Sequence, residues 1–239
     1  MALLEGRKIS KSFGGVQALS QVDFSVEAGT IVALIGPNGA GKTTLFNAVA
    51  GAFKPSSGQV VFDGRDITGL PANAVCRLGM ARTFQVTRPF AAMTCLENIM
   101  VAAVNRYPQK PRSFIESFAR EKLSRVGLAD LEGFEARHLN VIQKKRLEMA
   151  RALATDPKLL MLDEVLGGLN TQEIQQAVMF IRSLRDQLGL SVLWIEHVMG
   201  AVMQAAERVI VLDQGRVLMA GTPHEVVNDP RVIQAYLGD

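Results

Sequence analysis

The chain has 239 residues, a formal net charge of +3, 48% hydrophobic and 21% charged residues, an ordinary balance for a globular chain long enough to bury a full core. No run approaches the roughly 18 apolar residues of a membrane-spanning helix, M-A-L-L-E-G-R-K lacks the long apolar stretch of a secretory leader, and the mild charge does not mark a nucleic-acid face. Cys76 and Cys95 belong to no metal-like cluster and suit reduced thiols in a cytosol.

In chain order, the first part reads as β-rich. Arg7 to Phe13, Val22 to Val26 and Gln59 to Phe62 are short, partly alternating runs, interrupted by Gly14-Gly15, Ala28-Gly29 and Asp63-Gly64. Asp63-Gly64 is expected to turn a hairpin. Between these runs lies the apolar stretch Thr30 to Ile35, followed by Gly36-Pro37-Asn38-Gly39-Ala40-Gly41-Lys42-Thr43-Thr44. This is a phosphate-binding loop in its diagnostic setting, a buried strand before it and a helix start after it. Gly36, Gly39 and Gly41 free the backbone to converge amides on an anion. Lys42 adds a cation for the β- and γ-phosphates, the Thr43 hydroxyl can ligate Mg²⁺, and the helix from Thr43 onward points its positive end at the same phosphates. A glycine-rich turn with only a structural task would not require Lys-Thr after its last glycine. The expected ligand is a nucleoside triphosphate.

From about Arg88 to Ala154 the strand signals thin out. Pro89, Pro108 and Pro111 punctuate this stretch, and Phe114 to Val126 reads as an amphipathic helix. Buried-strand patterns return at Leu159 to Leu162, Ser191 to Ile195, Val209 to Leu212 and Val217 to Ala220, with a helix over Gln172 to Leu188 and a turn at Asp213 to Arg216. The β-α-β alternation implies a parallel sheet. The fold class expected is α/β: a phosphate-loop NTPase core with a mixed, largely parallel sheet, an N-terminal antiparallel segment and a helical insertion. The core would comprise 1–86 and 155–239, and the helical subdomain 87–154.

Leu159-Leu160-Met161-Leu162 ends in Asp163-Glu164. Asp163 then sits at the tip of a central strand, where sheet ligands bind, and can hold Mg²⁺ beside the phosphates. Glu164 points elsewhere and can act as general base toward the attacking water. An exposed acidic turn would produce the same letters, but the phosphate loop in the same chain favours the catalytic reading.

Together these residues resemble the ATP-binding subunit of an ABC transporter, essentially from end to end. The resemblance implies that Phe13 in K-S-F-G-G stacks on adenine and that Gln85 in A-R-T-F-Q senses the γ-phosphate and the metal. It implies that His197 in W-I-E-H contacts the γ-phosphate, and that Gly168-Leu169-Asn170 falls on the loop that crosses to a second subunit. Leu139 to Gln143 falls where the family signature L-S-G-G-Q belongs, so Asn140 and Gln143 are candidate nucleotide contacts. The segments A-R-T-F-Q, M-T-C-L-E-N-I-M-V-A, I-E-H-V-M and V-I-Q-A-Y-L-G-D, Asn170 in place of the usual Asp and a short tail resemble the branched-chain amino-acid importer subgroup. The lipopolysaccharide-export ATPase is a close cousin by its length and its Tyr-Leu-Gly ending.

The departure from the family pattern is Asn140-Val141-Ile142 where the signature has Ser-Gly-Gly. Asn140 is still expected to cap a helix. Val141 and Ile142 disfavour positive φ and close backbone approach, which would weaken the contact to a nucleotide on the opposite subunit. Val165 also stands where the family carries proline. The resemblance implies an ATPase using ATP and Mg²⁺ in a head-to-tail dimer. A sibling subunit would make it a heterodimer, on permease subunits served by a solute-binding protein at the cytoplasmic face of the membrane. A nucleotide-gated module with little hydrolysis is the second reading, and an ABC ATPase acting on DNA or ribosomes is disfavoured by the lack of heptads and of a second phosphate loop. The guanine-reading N-K-x-D is missing, which disfavours a GTPase.

Overall fold

A computed structural model describes residues 2–84 and 87–237. The chain divides into two compact units, Met1–Val75 with Met161–Asp239, and Cys76–Leu160.

The first unit opens with β1 (Ala2–Phe13) and β2 (Val16–Glu27), an antiparallel hairpin in which Phe13 pairs with Val16. Next come β3 (Ile31–Ile35), α1 (Lys42–Val49), β4 (Ser57–Phe62) and β5 (Arg65–Asp66). The first sheet has the order β2-β1-β4-β5 and is antiparallel throughout. Asp63 and Gly64 take φ of +50° and +74° between β4 and β5, the left-handed pair of a tight hairpin.

After α2 (Ala72–Arg77), the second unit holds β6 (Met80–Arg82), α3 (Cys95–Arg106), α4 (Arg112–Arg125) and α5 (Val141–Leu153). Its core is built from Ile99 and Ala103 of α3, Ile115, Ala119 and Leu123 of α4, and Leu147 and Ala150 of α5, all buried. The wholly buried Asn98 amide holds the approach to α3: it accepts from Phe90 N and donates to the carbonyls of Phe90, Met93 and Thr94. The Tyr107 hydroxyl donates to Asp156 at 2.8 Å, beside the rings of Phe114 and Phe118. The unit is wider than 87–154, because it takes in β6 and the start of the next strand, β7 (Leu159–Asp163).

Back in the first unit follow α6 (Thr171–Leu188), β8 (Ser191–Ile195), α7 (Met199–Ala205), β9 (Arg208–Asp213), β10 (Arg216–Gly221), α8 (Pro223–Val227) and α9 (Pro230–Leu237). The second sheet runs β10-β9-β3-β8-β7 through its first five strands. β3 lies in the middle, parallel to both β8 and β9. Every residue of β3, β7 and β8 is buried, which explains why these strands read as nearly unbroken apolar runs rather than alternating ones. Ala33 and Ile35 of β3 pack in one cluster with Val202, Val209, Val211, Val226 and Val232. That cluster carries α8 and α9 against the sheet. Among the described residues no helix is long and apolar enough to cross a membrane.

Candidate functional site

The phosphate loop leaves β3 at Gly36 and enters α1 at Lys42. Two glycines are required by its shape. At Gly36, with φ +147°, a Cβ would lie 2.0 Å from the Leu212 carbonyl oxygen; at Gly41, with φ +101°, it would lie 2.7 Å from the Ala18 carbonyl oxygen. Gly41 is the N-cap of α1 and supplies no side-chain acceptor. Four other helices, α3, α5, α6 and α8, start with reciprocal capping boxes. The first-turn amides of α1 are thus left without a side-chain cap, the arrangement that favours an anion at a helix start. Asn38, Gly39 and Thr43 are exposed, Pro37 and Thr44 are half-buried, and Ala40 is buried.

Lys42 is 9% exposed, and its Nζ donates to the carbonyls of Gly36 at 2.7 Å and Pro37 at 2.9 Å. Burial lowers the pKa of its ammonium, and the carboxylates of Glu164 and Asp163 oppose that shift. Both acids therefore lie near enough to the lysine for their charges to act on it. Asp163 is the last residue of β7 and is buried. Glu164 follows at φ +47° with its amide donating to the Ile195 carbonyl at 3.0 Å. A left-handed glutamate is uncommon, and it marks a sharp turn of the chain directly after β7. His197 lies beyond the end of β8 with its side chain 59% exposed, and its amide donates to Glu196 at 3.0 Å.

Phe13 sits at the tip of the β1-β2 hairpin, 48% exposed. Its ring meets Phe53 edge-on at 5.4 Å between centroids, and the Lys11 ammonium lies 5.1 Å and 4.7 Å from the two ring centres. An aromatic this open is not core packing. It presents a π-face on which a flat ring can stack.

In the second unit, Asn140 caps α5 and accepts from Gln143 N, while the Gln143 side chain accepts from Asn140 N, both at 2.9 Å. The expected cap is present, and it engages both side chains that the sequence offered as nucleotide contacts. Val141 is 65% exposed at the first helical position. Gln85 lies outside the described residues.

Sequence reasoning missed two residues here. Glu196 is buried at the end of β8. Tyr236 of α9 accepts a hydrogen bond from the Gly36 amide at 2.7 Å, and burial raises the pKa of its hydroxyl. For Glu196 the available signal was a charge directly continuing an apolar strand.

A family model described as "ABC transporter" matches residues 19–167, and one described as "Branched-chain amino acid ATP-binding cassette transporter" matches residues 216–239. The chain is 39% identical to the high-affinity branched-chain amino acid transport ATP-binding protein BraF of Pseudomonas aeruginosa, covering 99% of this chain and 98% of that protein. It is 38% identical, with the same coverage, to the corresponding protein LivG of Escherichia coli (strain K12). Among solved structures it is similar to the ADP conformation of MJ1267, an ATP-binding cassette of an ABC transporter, with a TM-score of 0.91, 30% identity and full coverage of both chains.

Proposed function

The chain belongs to the ABC transporter ATP-binding family, and from that membership we propose that it is the ATP-hydrolysing motor subunit of an importer for branched-chain amino acids. The carrying observation is the near-complete coverage of importer subunits at 38–39% identity. A buried lysine facing an Asp-Glu pair at a strand end supports the hydrolytic role.

In this reading the adenine rests on Phe13. The triphosphate takes up the amides from Gly39 to Thr44, and Lys42 transfers its donors from the loop carbonyls to the phosphates. Glu164 accepts a proton from the attacking water, and His197 and Gln85 meet the γ-phosphate. The residues present suit Mg²⁺: Asp163 at the end of β7 and the exposed Thr43 at the start of α1 offer oxygen donors. Mg²⁺ normally takes only one or two protein carboxylates beside phosphate and water. Asp163, Thr43 and Gln85 would hold it. When bound, it would supply positive charge against the phosphates.

One chain carries one phosphate loop and one signature helix, so we assign it to a head-to-tail pair with a second ABC ATPase on permease subunits. The pair would sit at the cytoplasmic face of the membrane and be served indirectly by a solute-binding protein. In vesicles holding the co-purified complex, leucine uptake should require ATP on the side of this subunit. A complex that hydrolyses ATP without response to any branched-chain amino acid would overturn the substrate assignment.

The exposed Val141 at the start of α5 supports a second reading, in which this chain's own signature serves its partner's site poorly. Changing Asn140-Val141-Ile142 to Ser-Gly-Gly removes the two β-branched side chains from the helix start and should raise turnover of the chain assayed alone. The two glycines cost about 1 kcal/mol each in helix stability. If the unaltered chain alone already turns over ATP as fast as the complete complex, the signature is not defective.

A further inference from the structure

Two loops carry the reacting groups of the proposed ATPase: the one after β7, with Glu164, and the one after β8, with His197. Two sets of hydrogen bonds join them. The first is backbone only, Glu164 N to the Ile195 carbonyl at 3.0 Å. The second runs through the Glu196 side chain, which has no exposed surface. Its Oε1 accepts from Leu166 N at 3.0 Å, and its Oε2 accepts from His197 N at 3.0 Å and Val198 N at 3.3 Å. Three amides from the two loops therefore converge on one carboxylate.

We propose that Glu196 is a positioning residue of the ATPase, a carboxylate clip that holds the Glu164 loop and the His197 loop in one register. This deepens the assignment of Glu164 and His197 made above and rests on it. A buried carboxylate is costly unless its oxygens are fully engaged, and here backbone amides of the two catalytic loops engage both of them. Only a carboxylate suits the place. It is acceptor-only, with an oxygen for each side. Glutamine keeps the length and shape but offers a single acceptor oxygen, so it must release either Leu166 or the pair His197 and Val198. The His197 imidazole is not part of the clip: its Nδ1 stands 3.7 Å from Oε2, beyond hydrogen-bond range. The clip acts on the backbone and leaves the histidine side chain free for the γ-phosphate.

The test compares Glu196→Gln with the unaltered chain in the co-purified transporter complex. We expect kcat to fall about ten- to a hundredfold, the penalty of reacting groups misplaced by about 1 Å. KM and MgATP affinity should change by less than about twofold, because the phosphate loop is untouched. Hydrogen exchange should speed up at the amides of Leu166, His197 and Val198, while β3 and α1 stay protected. A folded Glu196→Gln variant with unchanged kcat overturns the proposal, and so does an equal loss of kcat and nucleotide affinity. If that variant does not fold, Glu196→Asp retains the carboxylate but withdraws it by one methylene, and the same split between kcat and KM is expected. Failure of both variants to fold would make Glu196 a stability element and also overturn the proposal. Glu164→Gln, assayed beside them, separates the two ideas. Retained turnover there counts against the base assignment, whereas its loss together with normal turnover in Glu196→Gln counts against the clip alone.

Discussion

Replacing Glu164 by glutamine is expected to reduce ATP turnover by about 10²–10⁴-fold, the usual contribution of a general base, while MgATP still binds. The amide matches the carboxylate in shape and cannot take a proton. The backbone at Glu164, held left-handed and tied to Ile195, does not depend on the side-chain charge, so the loop should keep its course. Glu164 also lends negative charge to the neighbourhood of Lys42. Its removal eases repulsion toward the triphosphate, and nucleotide affinity should hold steady or rise. The complex carrying the variant should accumulate in an ATP-bound, dimerised form. Measuring phosphate release and ATP retention in the same preparation checks both halves, and near-normal turnover would remove Glu164 from the mechanism.

Lys42→Ala is expected to weaken MgATP binding at least about tenfold, since charge-assisted hydrogen bonds are worth about 1.5–3 kcal/mol each. Two observations set the size of the loss. The ammonium donates to the carbonyls of Gly36 and Pro37, so binding exchanges partners and the net gain is smaller than the new bonds suggest. Against this, the ammonium interacts with the carboxylates of both Glu164 and Asp163. Without it, a triphosphate would meet two carboxylates with less compensation. The second effect keeps the expected loss at tenfold or beyond. Equal affinity for the variant and the original chain, in a titration with folding checked by circular dichroism, would contradict the role given to the loop.

How legible each feature was depended on how locally its cause is written. The phosphate loop depends on glycines at backbone positions that exclude a Cβ, so its requirement is spelled within nine consecutive residues. β3, β7 and β8 were visible because strands buried on both faces need no alternation to stand out. The first hairpin was seen only in part, as Arg7 to Phe13 and Val22 to Val26, although its strands run Ala2–Phe13 and Val16–Glu27. Register shifts along the pair, with Lys8 and Gln21 at positive φ, break the period of two on which the reading relied. The helices α7 and α8, with seven and five residues, are too short for a helical period to emerge. At the site, Asp163 and Glu164 could be read from an apolar run ending in acids. Glu196 ends an apolar run in the same way, but its role could not be read there, because it lies in the Leu166 amide 30 residues away. The same holds for Tyr236, whose partner is 200 residues distant.

The chain has two tyrosines, and they fall one in each unit. The Tyr236 hydroxyl receives the amide hydrogen of the first loop residue, whereas the Tyr107 hydroxyl gives its own hydrogen to Asp156 between helical segments. Opposite polarity at the two phenols means that fluorotyrosine incorporated at both would yield two fluorine resonances with distinct electronic surroundings. One line would follow the phosphate loop and the other the helical unit through a full nucleotide cycle, with Lys42, Glu164 and His197 left unaltered. The protein thus offers a pair of reporter positions, with which the order of events in its two units can be timed against each other.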